Sequence, residues 1–218
     1  MLVTMAGNSL LNGETRVYEE KIKGRITTHN FIIDKSITGC TITLRSETGG
    51  KQIDQKFELA TNLSALSWFY GDPEKKTKIT AAKKGNKIYL KGIHEGKQID
   101  KTFKINALPW NQSFNIGLEK FAVSTEKKMK FWAIGTSGPG DMKITTFSVK
   151  KKEVETITLK GKEVAAVHLQ ISLTGLLSIF WTGNYWYRKA DGKFLRYKGK
   201  DRGSSRDGME LISEKTSD

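Results

Sequence analysis

Few residues in this chain are equipped for chemistry, and their spacing argues against most reactions. The three histidines are His29, His94 and His168. None belongs to HxH, HExxH or another metal-ligand spacing, so neither a metal nor any other cofactor is expected. His29 in ITTHNFII and His168 in AVHLQI read as lying on the strand face opposite the better apolar residues, and His94 falls in an expected turn. Glu19 and Glu20 are adjacent, so a strand sends them to opposite faces and they cannot form a facing acid/base pair. The chain has no GxSxG elbow, Walker loop, GxGxxG or CxxC. GTSGPG at 135–140 could offer backbone amides to an anion, but it lacks the lysine and helix of a phosphate loop and reads as a turn. Cys40 alternates with Ile42 and Leu44 and reads as a small buried hydrophobe. No catalytic residue is nominated, and the protein is expected not to be an enzyme.

Aromatic side chains are the remaining candidates. Trp181, Tyr185, Trp186 and Tyr187 cluster late in the chain, and Trp68 and Trp110 stand in two earlier aromatic-rich segments. These six could line a pocket for an apolar or amphiphilic ligand, or they could simply pack a core. By alternation Tyr185 and Tyr187 share one face of a strand and Trp186 takes the other.

The elements that must position them are strands. EVAAVHLQISL alternates cleanly, and NYWYRKADGKFLRY reads as two strands about a tight ADG turn. GKQID occurs at 50–54 and again at 96–100, each copy opening an alternating segment, which marks a recurring hairpin exit. Two stretches interrupt the pattern. In ATNLSALSWFYGDPEKK, Asn62 or Ser64 could cap a short helix. In NALPWNQSFNIGLEKFAVSTEKK, Pro109 holds Leu108 extended before another short helix. Twelve to fourteen strands joined by short turns predict an all-β fold, because parallel pairing needs long crossovers. A sheet of that size must curl or split. We expect a strongly curved, mostly antiparallel sheet forming an open or incomplete barrel, with one or two short helices covering its concave side. Residues 1–199 are expected to form one domain, and 200–218 a C-terminal tail, partly mobile at its end.

Bulk properties set outer limits. The 218 residues carry a formal net charge of +14. Residues 1–109 hold 18 basic and 11 acidic side chains and residues 110–218 hold 19 and 12, so no basic arm accounts for the excess. Lysine-rich turns and edges explain it, since lysine blocks unwanted edge pairing. Weak electrostatic contact with an anionic membrane surface follows from the charge. Specific nucleic-acid binding does not, because no recognition module accompanies it. One cysteine excludes an intrachain disulfide framework.

The run NYWYRKADGKFLRYKG resembles the closing hairpin of a family of bacterial proteins, domain of unknown function 3108, and more distantly that of the LolA/LolB-like lipoprotein carriers. LLNGETRVYEEKIKGRITTHNFII is similar to the same family's start, and KGKEVAAVHLQISL to its central strand, so the resemblance runs from about Leu11 to Gly199. It implies an unclosed barrel with short helices over the concave side, a face that holds acyl chains in the carriers, and it brings no enzymatic residues. The longer apolar segment and leader usual in that family are missing here. The expected location is therefore periplasm or cell envelope if a leader has been removed, and cytoplasm otherwise. The function expected is non-enzymatic binding or carriage of a lipid or acyl chain. The alternatives are a structural or interaction module with a filled core, and a weak enzyme acting on a lipid or glycan.

Overall fold

Alternation of large apolar with polar side chains runs through nearly every segment, and it folds them into one curled antiparallel sheet. The computed structural model describes residues 12–138, 140–175, 181–201, 204–205 and 208–216. The strand expected over LLSIFW falls mostly outside them, as does one residue of the GTSGPG loop.

Eight strands form a meander in the first half: β1 (Asn12–Ile22), β2 (Arg25–Ser36), β3 (Gly39–Thr48), β4 (Lys51–Ala60), β5 (Ala65–Asp72), β6 (Thr77–Lys84), β7 (Lys87–His94) and β8 (Lys97–Lys104). Two short helical turns follow, α1 (Phe114–Gly117) and α2 (Glu119–Val123). The second half holds β9 (Lys128–Gly138), β10 (Asp141–Leu159), β11 (Lys162–Leu173), β12 (Thr182–Arg188), β13 (Phe194–Asp201), β14 (Ser204–Ser205) and β15 (Gly208–Thr216). The order across the sheet is β8-β7-β6-β5-β4-β3-β2-β1-β15-β13-β12-β11-β10-β9, with β14 paired on β13. Edge strands β8 and β9 do not pair with each other, so the barrel is left open. The all-β, open-barrel expectation therefore stands.

The GKQID echo has a simple physical basis. Gly50 and Gly96 each take the second central position of a two-residue hairpin turn, after Gly49 and Glu95, and all four have positive φ. That geometry twists the flanking strands the right way for a hairpin, and β4 and β8 exit from it.

Side chains and the α1 approach segment span the opening. Lys101 on β8 reaches Asp141 and donates to the Met142 carbonyl at 2.8 Å. The Gly140 N–H donates to Glu95 at 2.8 Å. Further along, Ala65 N donates to Trp110 O (2.7 Å), Trp132 N to Pro109 O (2.8 Å) and Asn111 N to Trp132 O (2.8 Å). The strip Pro109–Asn111 thereby stitches β9 to β5.

Two expectations need correction. Residues after 199 are not simply a tail: β13 continues to Asp201, and β15 inserts between β1 and β13, with Tyr18 opposite Leu211 and Tyr197 opposite Met209. Met209 and Leu211 supply too little apolar signal to mark this strand locally, and its partners lie far away in sequence. Asn62 and Ser64 do not start a helix. The Asn62 side chain instead accepts from Ser64 N (3.0 Å) in a tight turn, Leu63 adopts a φ of 66°, and β5 begins at Ala65. In β5, Trp68, Tyr70 and Asp72 follow a period of two, which outweighs the capping residues.

Candidate functional site

The concave side of the sheet encloses a cavity of about 590 Å³ that opens to solvent. Phe31, Leu44 and Phe57 on β2, β3 and β4 form one wall, with His29, Ser46 and Gln55 beside them. Ala133 on β9 and Thr145 and Phe147 on β10 form the opposite wall. Phe114 of α1, Trp181, Tyr185 and Met209 also belong to the lining. The aromatic rings hold one another in place. Phe114 meets Phe147 edge-on at 5.2 Å, Phe147 meets Trp181 edge-on at 5.7 Å, and Phe131 stacks on Phe147 at 5.6 Å. No carboxylate lines the cavity, and Lys143 stands exposed in its lining.

The six aromatic candidates separate. Trp181 and Tyr185 line this cavity. Trp68 lines a smaller adjoining chamber and donates its Nε1–H to Gln55 at 3.0 Å. Trp110 and Tyr187 are fully buried in packed core, where Tyr187 donates to the Phe114 carbonyl at 2.8 Å and so fixes α1. Trp186 lies on the outer face, stacked on His168 at 4.9 Å and donating to Glu155 at 2.7 Å. The inner face of β12 therefore carries Tyr185 and Tyr187.

His29 corrects an expectation. It shares the inner face with Phe31 and Ile33, because the large apolar residues of the other parity, Ile26 and Ile32, face outward and are about half exposed. His94 ends β7 instead of sitting in the turn, which belongs to Glu95 and Gly96. His168 is on the outer face, as alternation requires. Cys40 is buried, and burial raises its thiol pKa.

His29 Nδ1 lies 2.8 Å from Ser46 Oγ, and His29 Nε2 lies 3.3 Å from Glu20. A Ser-His-Glu chain of this kind resembles a nucleophile with its base. His29 and Ser46 are direct cross-strand neighbours, however, and β3 is paired on both sides. Its backbone N–H groups are committed to the ladder and offer no oxyanion hole. The contact links β2 to β3 beside the cavity. Among the described residues no cluster of three His, Cys, Asp or Glu side chains could hold a metal ion.

A buried charge cluster fixes α2 over one end of the sheet. Arg16 on β1 grips Glu14 with two hydrogen bonds of 3.0 Å and also contacts Glu119 of α2. Lys193 approaches Glu14 at 2.7 Å, and the Phe194 N–H donates to Glu119 at 3.3 Å. Burial disfavours the Glu14 carboxylate, but hydrogen bonds from Arg16 and Lys193 outweigh it and hold the pKa near 2 instead of 4.5. Burial raises the Glu119 pKa against the pull of Arg16.

Because Glu14 is depressed in the folded state, its contribution is present above pH 4.5 and is lost as pH falls toward 2. Glu14→Gln is expected to cost on the order of 3 kcal/mol near neutrality. In urea titrations the gap to wild type should narrow as pH drops from 4.5 to about 2. A gap that stays constant would mean that the charge of Glu14 contributes nothing to folding.

The fold and cavity define an open, β-barrel-like protein. The comparisons fit that class and go no further. No known protein family matches the chain, and no curated protein matches its sequence. A crystal structure of a β-barrel-like protein of domain of unknown function DUF1849 from Brucella abortus superposes with a TM-score of 0.61. It is 12% identical, and the match covers 97% of this chain and 100% of that one. At that identity the likeness concerns the fold alone.

Residues that the aromatic pattern did not nominate carry much of the site: His29, Ser46, Gln55, Phe31 and Phe57 from the first meander, and Phe114 from α1. Parity with Phe31 and with Phe57 was the available signal for His29 and Gln55, since i and i+2 share a face.

Proposed function

We propose that this protein binds and carries an amphiphile, holding its acyl chain in the concave cavity, and that it is not an enzyme. One observation carries the reading: a chamber of about 590 Å³, open to solvent, lined by more apolar than polar residues and free of carboxylates. That volume lies within the roughly 300–1,000 Å³ of small-molecule sites. A chain buried there would gain about 25 cal/mol for each Å² of apolar surface removed from water. Kinship with domain of unknown function 3108 and the lipoprotein carriers belongs to the same proposal, as does work in the cell envelope. The net charge of +14 supports weak contact with an anionic membrane during loading.

Native mass spectrometry of the purified protein, followed by lipid extraction, tests the reading. Co-purified lipid, or uptake from a panel of fatty acids, is expected. Protein that is ligand-free and ignores the panel would overturn it. Ala133, buried in the cavity wall, offers a blocking variant. Ala133→Phe is expected to weaken fatty-acid binding at least tenfold, read by quenching of tryptophan fluorescence, while circular dichroism stays unchanged.

A further inference from the structure

We infer that the smaller chamber beside the cavity is the head-group subsite of this amphiphile, that His94 is its anchor, and that the group it takes is a carboxylate. The inference rests on the carrier reading above. The chamber measures about 240 Å³, and Gln55, Gln112, Ile134, Gly135 and Thr136 line both spaces, so the two share a wall.

His94 is the last residue of β7 and is 5% exposed. Both its ring nitrogens are buried, and neither has a hydrogen-bond partner among the described residues. A buried polar group without a partner is costly and uncommon, so each such group in a folded protein calls for an explanation. The other two histidines are satisfied, His29 by Ser46 and Glu20 and His168 by Asn184 and Glu155.

The surrounding groups select the ligand's polarity. Tyr70 donates its hydroxyl to Asp72, and Thr77 donates to the Lys75 carbonyl while accepting from Glu95 N. Glu95 accepts from Gly140 N, and Lys75 lies 3.8 Å from Asp72. The oxygen of Gln55 already accepts from Trp68, which leaves its amide N–H₂ to donate. The Gln112 oxygen is engaged, accepting from Trp110 and Ile134 N, and one amide N–H donates to Ile134 O, which leaves its second N–H. The donor capacity left over is an imidazole N–H, the Gln55 amide N–H₂ and one Gln112 N–H, with the exposed Lys75 ammonium also in the lining; the second imidazole nitrogen and the Glu95 carboxylate remain as acceptors. Donors predominate over acceptors in this lining, and a carboxylate accepts from His94 and Gln55 together. Lys143 in the main cavity is the rival anchor. It is exposed, and water already satisfies it, so a ligand relieves nothing there.

Dodecanoate and methyl dodecanoate, titrated into the full chain by calorimetry at neutral pH, separate the possibilities. Wild type is expected to prefer the acid by about tenfold, the worth of one buried charge-assisted hydrogen bond. His94→Phe is expected to erase that preference while holding ester affinity within about twofold, because the ester needs only the chain site. His94→Gln keeps a donor at the position and is expected to restore most of it. Imidazole resonances that disappear in His94→Gln should shift when dodecanoate is added to wild type, and not when the ester is. If His94→Phe keeps the preference and Lys143→Ala abolishes it, the head group lies at Lys143 and the inference fails, with the carrier reading intact. If neither compound binds wild type, both fall.

Discussion

Arg16→Met is expected to lower the free energy of unfolding by about 3–5 kcal/mol, the usual cost of removing one partner from a buried ion pair. Arg16 is 1% exposed and faces Glu14 and Glu119. Among the described residues its loss leaves Glu119 buried with the Phe194 N–H at 3.3 Å, while Glu14 keeps Lys193 at 2.7 Å. Most of the penalty should therefore arise at Glu119. The double variant Arg16→Met/Glu119→Leu is expected to recover much of the stability, since an apolar replacement of a buried pair is often neutral. Urea unfolding of wild type, both single variants and the double variant closes the cycle. Strictly additive losses would show that the two side chains act independently and that α2 is held by packing alone.

Trp110→Ala is expected to cost about 3–5 kcal/mol, as large buried aromatics do when truncated. For a chain of this size that corresponds to a fall in Tm of roughly 10 °C. Trp110 is completely buried, and its indole donates to Gln112, which in turn holds both backbone groups of Ile134. Removing the ring empties the space between β5 and β9 where the sheet is not closed by its own ladder. Leu66→Ala, at a neighbouring exposed position on β5, is the control, with an expected change within about 0.5 kcal/mol. Equal effects from the two would mean that the strip 109–111 is not what holds that gap.

The fold was legible in the chain wherever its signals were local. Alternation in 163–173, the ADG turn between β12 and β13 and the repeated GKQID each depend on residues a few positions apart. In the ADG turn Asp191 accepts from Lys193 N at 3.1 Å and pairs with Arg188, so the turn is fixed by its own side chains. What stayed hidden depends on distant partners. Glu14, Arg16 and Glu20 look like outward residues of an ordinary polar strand, yet all three share the parity of Tyr18 and face inward. The groups that make this tolerable, Glu119, Lys193 and His29, come from elsewhere in the fold. Gln55 is similar: it shares the parity of Phe57 and Leu59, and its partner Trp68 lies on the next strand. Parity with apolar neighbours marks the face such side chains share, but it does not name their partners until the curl of the sheet is known. Of the cavity lining, Trp181 and Tyr185 were therefore among the residues nominated from the sequence, and the polar side chains were not.

The seating of β15 also sets an order of events during folding. Strands β1–β8 pair with sequence neighbours, as do β9–β13, so each half can zip up from short loops. Among the described residues the two halves are joined within the sheet by β15, which pairs with β1 across nearly the whole chain and with β13 at Arg196–Glu210 and Tyr197–Met209. That weld carries the largest loop-closure entropy in the molecule and should form last. Until it does, β1 and β13 are two bare sheet edges, and the interval before closure is when the chain is most exposed to mispairing with a second copy of itself.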